Sequence, residues 1–312
     1  MRLRDLTNIT AAITVAITAL SASAIAPALA QDGAEEAPPA FPETEIFLFD
    51  YDATGSSDVL SNARNVTQRA GYDNQPFFTK DSVTFLYSRD DGEQTDIWEY
   101  DIESGEHSRI TQTPQNEFSP TPSPDNRMIS VVSERNRSIW QFDRSAPDQA
   151  SWALEAAGAD EPVGYFARNY ATGDILFWSR YGFNVTLTSA SEAGAFFITG
   201  HAAPATPHLI PGSNEFSFVH RQTNGQVWIK ALDPETKAVR PLTPFVGLNA
   251  NYTWTPDGAI LQIEEGTVFR WREGQEGWDS VADLSDHGVA DANRIAVSPD
   301  GKRVAVVGVP AK

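Results

Sequence analysis

The chain has no cysteine among its 312 residues. That excludes a disulfide framework, a cysteine-based zinc site and a cysteine lipid anchor. Histidine is scarce: His107, His201, His208, His220 and His287 are all there is. No two stand at a spacing such as H-x-x-x-H, so spacing alone points to no histidine metal site. The sequence lacks G-x-S-x-G, a P-loop and a dinucleotide glycine fingerprint, which removes the nucleophile-elbow hydrolases and the common nucleotide sites. It also lacks a basic run. Lys and Arg number 23 against 42 Asp and Glu, for a net charge of −19. A surface so acidic repels a phosphate backbone, so nucleic acid is not an expected partner. Helical periodicity is absent after residue 45. Beyond the first thirty residues no apolar stretch approaches the roughly 18 to 20 residues of a spanning helix.

Those first thirty residues read as a secretory signal peptide. Arg2 and Arg4 open it, an apolar run rich in small residues comes next, and Ala28-Leu29-Ala30 fits an A-x-A cleavage site. Residues 31–44 are acidic and Pro-rich and read as a flexible lead-in. Residues 45–312 read as a single domain. The expected mature protein is therefore exported, periplasmic or secreted after cleavage near Ala30, monomeric, and without stable membrane insertion.

Within 45–312 a turn recurs between strand-like runs: "SPDN" at 123–126, "TPDG" at 255–258 and "SPDG" at 298–301. Pro presets φ, Asp caps the turn, and Gly or Asn accepts positive φ. Weaker versions are "TKDS" at 79–82, "YATGD" at 170–174 and "PGSNE" at 211–215. The anchors Asp81, Asp125, Gly173, Gly212, Asp257 and Asp300 recur every 39 to 48 residues. Such a period, with short alternating strands, predicts blades of four antiparallel strands.

Five complete units succeed one another from residue 74, and a sixth has only "NRIAVSP" and "RVAVVG". Its other half stands at the opposite end of the chain. "EIFLFDYDATG" at 45–55 resembles "DIWEYDIESG", and "DVLSNARNVTQ" resembles "GEHSRITQT". Joined, the two halves predict an all-β, six-bladed propeller whose ring is closed by the N-terminal strands. Pro76, Pro120, Pro122, Pro162 and Pro207 are expected in the innermost strand a, which has one free edge.

At 87–126, "YSRDDGEQTDIWEYDIESGEHSRITQTPQNEFSPTPSPDN", the chain resembles the TolB-like β-propeller repeat family. The family pattern is a strand ending in Ser-x-Arg or Ser-Asp-Arg, a Gly turn, an Ile-Tyr/Trp strand, a Gly turn, a strand ending in Leu/Ile-Thr and a Ser-Pro-Asp-Gly hairpin; here the first strand ends in Ser88-Arg89 and the hairpin reads Ser-Pro-Asp-Asn. The resemblance spans about 45–309 and implies the fold more than the function. The chain is similar to a propeller-only member lacking the TolB N-terminal domain.

In a propeller the d–a and b–c loops share one face. Arg89, Arg135, Arg180 and Arg221 open the b–c loops of four consecutive blades. They form a candidate arc for carboxylate or phosphate, unless each pairs with a nearby acid such as Asp90, Asp91 or Glu134. The d–a loops bring Asp73, Asn74, Asn116, Glu117, Glu161, His208, Asn249, Asn251, Asp291 and Asn293 near the start of strand a. From these the candidate binding set is Asp73, Asn74, Glu117, His208 and Asn251 with the four arginines. Trp98, Trp140, Trp228 and Trp271 recur on strand c, as blade-to-blade packing or as an aromatic stack. No catalytic residue, metal ligand or cofactor is expected, although a divalent cation in the channel stays open. The leading expectation is a non-catalytic platform for envelope proteins or a ligand. The alternative is a metal-assisted lyase or hydrolase acting on a small or sugar substrate at the channel mouth, which needs His208 and acids such as Glu117 to converge on one metal.

Overall fold

The computed structural model describes residues 41–190, 192 and 194–312. The expected leader and most of the lead-in lie outside the described residues. Between Glu45 and Pro310 the chain forms six four-stranded antiparallel sheets, the blades of a six-bladed propeller.

Blade 1 holds strands Asp73–Phe78, Thr84–Asp90, Thr95–Asp101 and His107–Arg109. Blade 2 holds Glu117–Pro122, Met128–Ser133, Ser138–Asp143 and Ser151–Trp152. Blade 3 holds Val163–Arg168, Ile175–Ser179, Val185–Thr188 and Ala195–Thr199. Blade 4 holds His208–Leu209, Phe216–Arg221, Val227–Leu232 and Val239–Pro244, and blade 5 holds Tyr252–Trp254, Ala259–Glu264, Thr267–Arg272 and Asp279–Asp283. Blade 6 joins the two ends of the domain: Val289–Val297 and Arg303–Pro310 supply strands a and b, Glu45–Tyr51 and Leu60–Asn65 strands c and d. Its b–c register runs unbroken from Glu45 opposite Gly308 to Asp50 opposite Arg303.

The recurring turn works as its residues dictate. Thr79, Ser123, Thr255 and Ser298 each donate a hydroxyl to the Asp two residues on, at 2.5–2.7 Å. These bonds hold the Asp81 and Asp125 carboxyls below the usual range. Blade 3 keeps the device without the Pro-Asp pair, since Thr172 donates to Asp174 at 2.7 Å.

The core lies between blades. Strand c of blade 6 is a wedge: Phe47, Phe49 and Tyr51 pack with Leu261, Ile263 and Val268 of blade 5. Ile46 and Leu48 face the other way, onto Phe85 and Tyr87 of blade 1. Alternate residues thus bury against opposite neighbours, the period of two a strand imposes.

Some boundaries differ from the sequence expectation. The outer strand of blade 2 stops at Trp152 and is succeeded by a short 3-10 turn, Glu155–Ala157, ended by Gly158 at φ 61°. Pro162 and Pro207 precede strand a by one residue instead of lying in it; each has a fixed φ and no N–H to give the ladder.

Candidate binding surfaces

The four b–c arginines do not act alike. The Arg89 guanidinium lies 4.1 Å over the Trp98 ring, and that of Arg135 lies 4.3 Å over Trp140. A cation over an indole face is held by the ring quadrupole. Stacking, not pairing with Asp90, Asp91 or Glu134, is what positions these two; Glu134 instead accepts from Asn116 at 2.8 Å. Arg180 and Arg221 are exposed at the ends of their strands.

The d–a candidates divide between bracing and unmet polarity. Asn249 and Asn251 both donate to the Asn293 carbonyl, at 3.1 and 2.8 Å, and so tie blade 5 to blade 6. Asp73 is fully buried and paired with Arg69 at 3.0 Å, yet its Oδ2 has no partner. Glu117 accepts from Thr113 at 2.9 Å through Oε1, while Oε2 is buried without a partner. Burial pushes both carboxyls up. Glu117 lines a groove of about 490 Å³ between blades 1 and 2, together with Arg109, Arg135 and Trp140.

His208 is elsewhere. It lines the central cavity, about 510 Å³, to which strand a of every blade contributes. Its pKa is pushed down to about 4, chiefly by burial and further by the charge of Arg294, and its Nε2 has no partner. His208 and Glu117, the acid named as an example for the metal-assisted alternative, therefore line two separate cavities. Among the described residues no three His, Asp or Glu side chains gather as a metal-binding group.

The cavity opens away from the face that sequence reasoning favoured. Lys80, Gly212, Pro256 and Pro299, all in a–b turns, form its rim. Toward the d–a face Arg294 lies across it. From blade 6, Arg294 donates to Asn74 of blade 1 (3.0 Å), to Thr206 at the start of blade 4 (3.2 Å) and to the Tyr165 hydroxyl of blade 3, the blade opposite (3.5 Å). A break in the strand register between Ala290 and Arg294, with Asp291 at φ 48°, lets the side chain turn inward. Of these four residues only Asn74 was foreseen. An arginine in an innermost strand was the signal available for Arg294, and equally for Arg168.

A further feature lies on blade 3, at its b–c loop and its outer strand. Tyr181 and Phe183, in the b–c loop of blade 3, and Phe197, on its outer strand, are 60, 55 and 67% exposed. Arg137, from the neighbouring b–c loop, donates to the Tyr181 hydroxyl and lies 5.7 Å from its ring. Phe183 sits edge-on to Trp178 at 5.7 Å with φ 47°, a backbone region that a bulky side chain rarely adopts.

No protein-family model matches the sequence, and no curated protein matches it. Solved structures do. TolB from Acinetobacter baumannii is similar with a TM-score of 0.52 and 16% identity, over 88% of this chain and 66% of that one, so the chain spans just under two thirds of that protein's length. A protein provisionally named TolB, from Agrobacterium tumefaciens, is similar with a TM-score of 0.64 and 12% identity, over 85% of this chain and 98% of that one. An oligogalacturonate lyase in complex with manganese gives a TM-score of 0.47 at 13% identity, over 87% and 98% of the two chains, too loose a likeness to bear on chemistry. The six four-stranded blades and the likeness to the first two structures agree: this chain has the six-bladed TolB-like propeller fold.

Proposed function

We propose that the protein is an exported, non-catalytic binding platform of the cell envelope that holds a partner protein on the d–a/b–c face at blade 3. The observation that carries this reading is the exposed trio Tyr181, Phe183 and Phe197 on one blade. Aromatic side chains bury a large area at small entropic cost, and they anchor interfaces when rimmed by polar groups. Arg135, Arg137 and Arg180 supply a basic rim on the b–c loops of blades 2 and 3. The matching partner surface is apolar at its centre and acidic at its edge. Phe183 held at positive φ fits the same reading, because local strain is retained where a side chain must be displayed. The TolB-like fold and the signal-like leader support an envelope setting.

The test is capture from envelope extract with the mature protein, beside a variant carrying Tyr181→Ser, Phe183→Asn and Phe197→Thr. Asn tolerates the left-handed backbone at 183 and Thr suits the strand at 197, so the fold should survive. A partner retained by the native protein and lost by the variant is the expected result. Equal retention by both moves the working face elsewhere, and no retained partner refutes the platform reading.

A further inference from the structure

The central cavity is the electrostatic opposite of the protein around it. The chain carries 42 acidic residues against 23 basic ones. Yet the charged residues lining the cavity are Lys80, Arg168 and Arg294, and no Asp or Glu lines it among the described residues. Much of the remaining wall is apolar or aromatic, with Phe77, Phe166 and Trp254 among its residues.

Arg294 is the centre of this inversion. Arg294 is half-buried, and a guanidinium partly withdrawn from water commonly faces a carboxylate, because its charge is costly to bury alone. Here its three hydrogen-bond acceptors are neutral: an amide oxygen, a threonine hydroxyl and a phenol. Those bonds fix the plane of the group without cancelling its charge. The group has five N–H donors, so two remain undirected. Arg168 is held in the same way by neutral oxygens, those of Ser130 and Gln141, with Tyr170 beneath its guanidinium at 4.7 Å. His208, in the same cavity, keeps an Nε2 with no partner. Cations fixed by neutral groups, an orphan ring nitrogen and an apolar wall all lack one component, an acid with an apolar body.

We propose that the central cavity binds a small organic acid: its carboxylate seats on Arg294, within reach of His208, and its apolar body lies against the walls toward the a–b rim. A volume near 510 Å³ lies within the range of about 300–1,000 Å³ of small-molecule sites. The guanidinium matches a carboxylate through paired N–H donors and is already oriented, so little entropy is lost on binding. Lys80 adds a cation at the rim, beside a–b turns that also carry Asp81, Asp125, Asp257 and Asp300, so the positive charge that selects an acid lies within the cavity at Arg294. This site is separate from the aromatic trio of blade 3, so each proposal stands or falls without the other.

The experiment uses three probes of one shape: naphthalene-2-carboxylate, naphthalene-2-methanol and 2-(aminomethyl)naphthalene. Binding to the full mature chain is measured by calorimetry. The acid should bind at least about tenfold more tightly than the alcohol, and the amine most weakly. Arg294→Gln should cost the acid about 10- to 100-fold and leave the alcohol unchanged. Arg294→Lys, which keeps charge but loses the paired donors, should fall between. Equal binding of acid and alcohol by the native protein overturns the proposal, as does an Arg294→Gln variant that keeps full preference for the acid. If Arg294→Gln does not fold, charge discrimination by the native protein and its reduction in the rim variant Lys80→Gln decide the matter. An acid that binds no better than the amine, or not at all, refutes it.

Discussion

Ring closure makes a quantitative prediction at Phe49. Its side chain is fully buried, in the strand that the N-terminal end contributes to blade 6. It packs in a cluster with Leu261, Ile263, Val268 and Val281 of blade 5, more than two hundred residues away in sequence. Phe49→Ala removes most of an aromatic side chain from a site bounded by strands on both sides, which cannot collapse to fill the gap. Large-to-small changes of this kind cost about 3–5 kcal/mol. With a urea m-value of about 3 kcal/mol/M, the upper end for small proteins, a loss of about 4 kcal/mol lowers the midpoint by about 1.3 M. The assay is urea unfolding monitored by far-UV circular dichroism and tryptophan fluorescence, with Phe197→Ala as control. Phe197 is two-thirds exposed, so its truncation should change stability by about 0.5 kcal/mol or less. If Phe49→Ala unfolds within about 0.3 M of the native protein, the N-terminal strand does not close the ring as described.

Three further outcomes rest on single groups. His208, held neutral with its pKa pushed from 6.5 to about 4, favours the folded state fully above pH 6.5. That contribution is lost as pH falls from 6.5 through 4 and amounts to about 3 kcal/mol; the stability gap between native protein and His208→Gln should narrow by that amount from pH 7 to pH 4, and a constant gap refutes it. Asp73 and Glu117, with raised pKa values, act in the opposite direction but are common to both proteins and cancel. Arg109→Ala should cost about 1–3 kcal/mol in thermal or urea unfolding, because it strands the buried Asp96 carboxylate with which it pairs, discounted for Arg109's own partial exposure. Gly247→Ala should cost about 1–2 kcal/mol, since Gly247 has φ 67° and a Cβ there would overlap the Glu264 carboxylate, displacing the group that accepts from the Leu248 and Asn249 amides; an unchanged melting temperature would refute it.

The architecture was legible because propeller turns are written in local chemistry. Ser or Thr, Asp, and a residue that accepts positive φ define the a–b hairpin within five positions, and the spacing of those hairpins sets the blade count. Closure was legible from a count of strands at the two ends. The site was less so, for two reasons. Strand irregularities in the inner strands fall at Gln75, Ser119 and Asp291, with φ of 59°, 54° and 48°, and none of the three is glycine. No composition signal marks them, yet each re-aims side chains: Gln75 turns its amide oxygen to the Ser119 amide of the next blade at 2.7 Å, and Asp291 precedes the turn that sends Arg294 inward. The second reason is that the sequence offered Arg89 and Arg135 either as part of a ligand-binding arc or as partners of nearby acids, and not as stacked cations. Their partners are tryptophans on the strand that follows: Trp98 is the diagonal neighbour of Arg89 across the strand pair, and the b–c turn folds Arg135 back over Trp140, contacts that show only once register and turn are known.

Arg294 joins the closure of the ring to the chemistry of its channel. In a repeat architecture each unit normally touches only its neighbours, so stability is a sum of local terms. Arg294 breaks that pattern by reaching from blade 6 to the opposite blade 3 and to blade 4 as well as to adjacent blade 1. The blade that carries it is the one assembled from both ends of the domain: strand a, which holds Arg294, pairs with strand b, and strand b pairs with the N-terminal strand c. The position of the guanidinium therefore depends on the wedge of Ile46, Leu48 and Phe49 being seated. A neutral acceptor set is what lets this brace remain charged toward the cavity, since a carboxylate in place of Asn74 or Thr206 would hold the strand equally well but leave no charge for an acid to meet. The same three bonds that stitch four blades across the channel thus leave its floor positive.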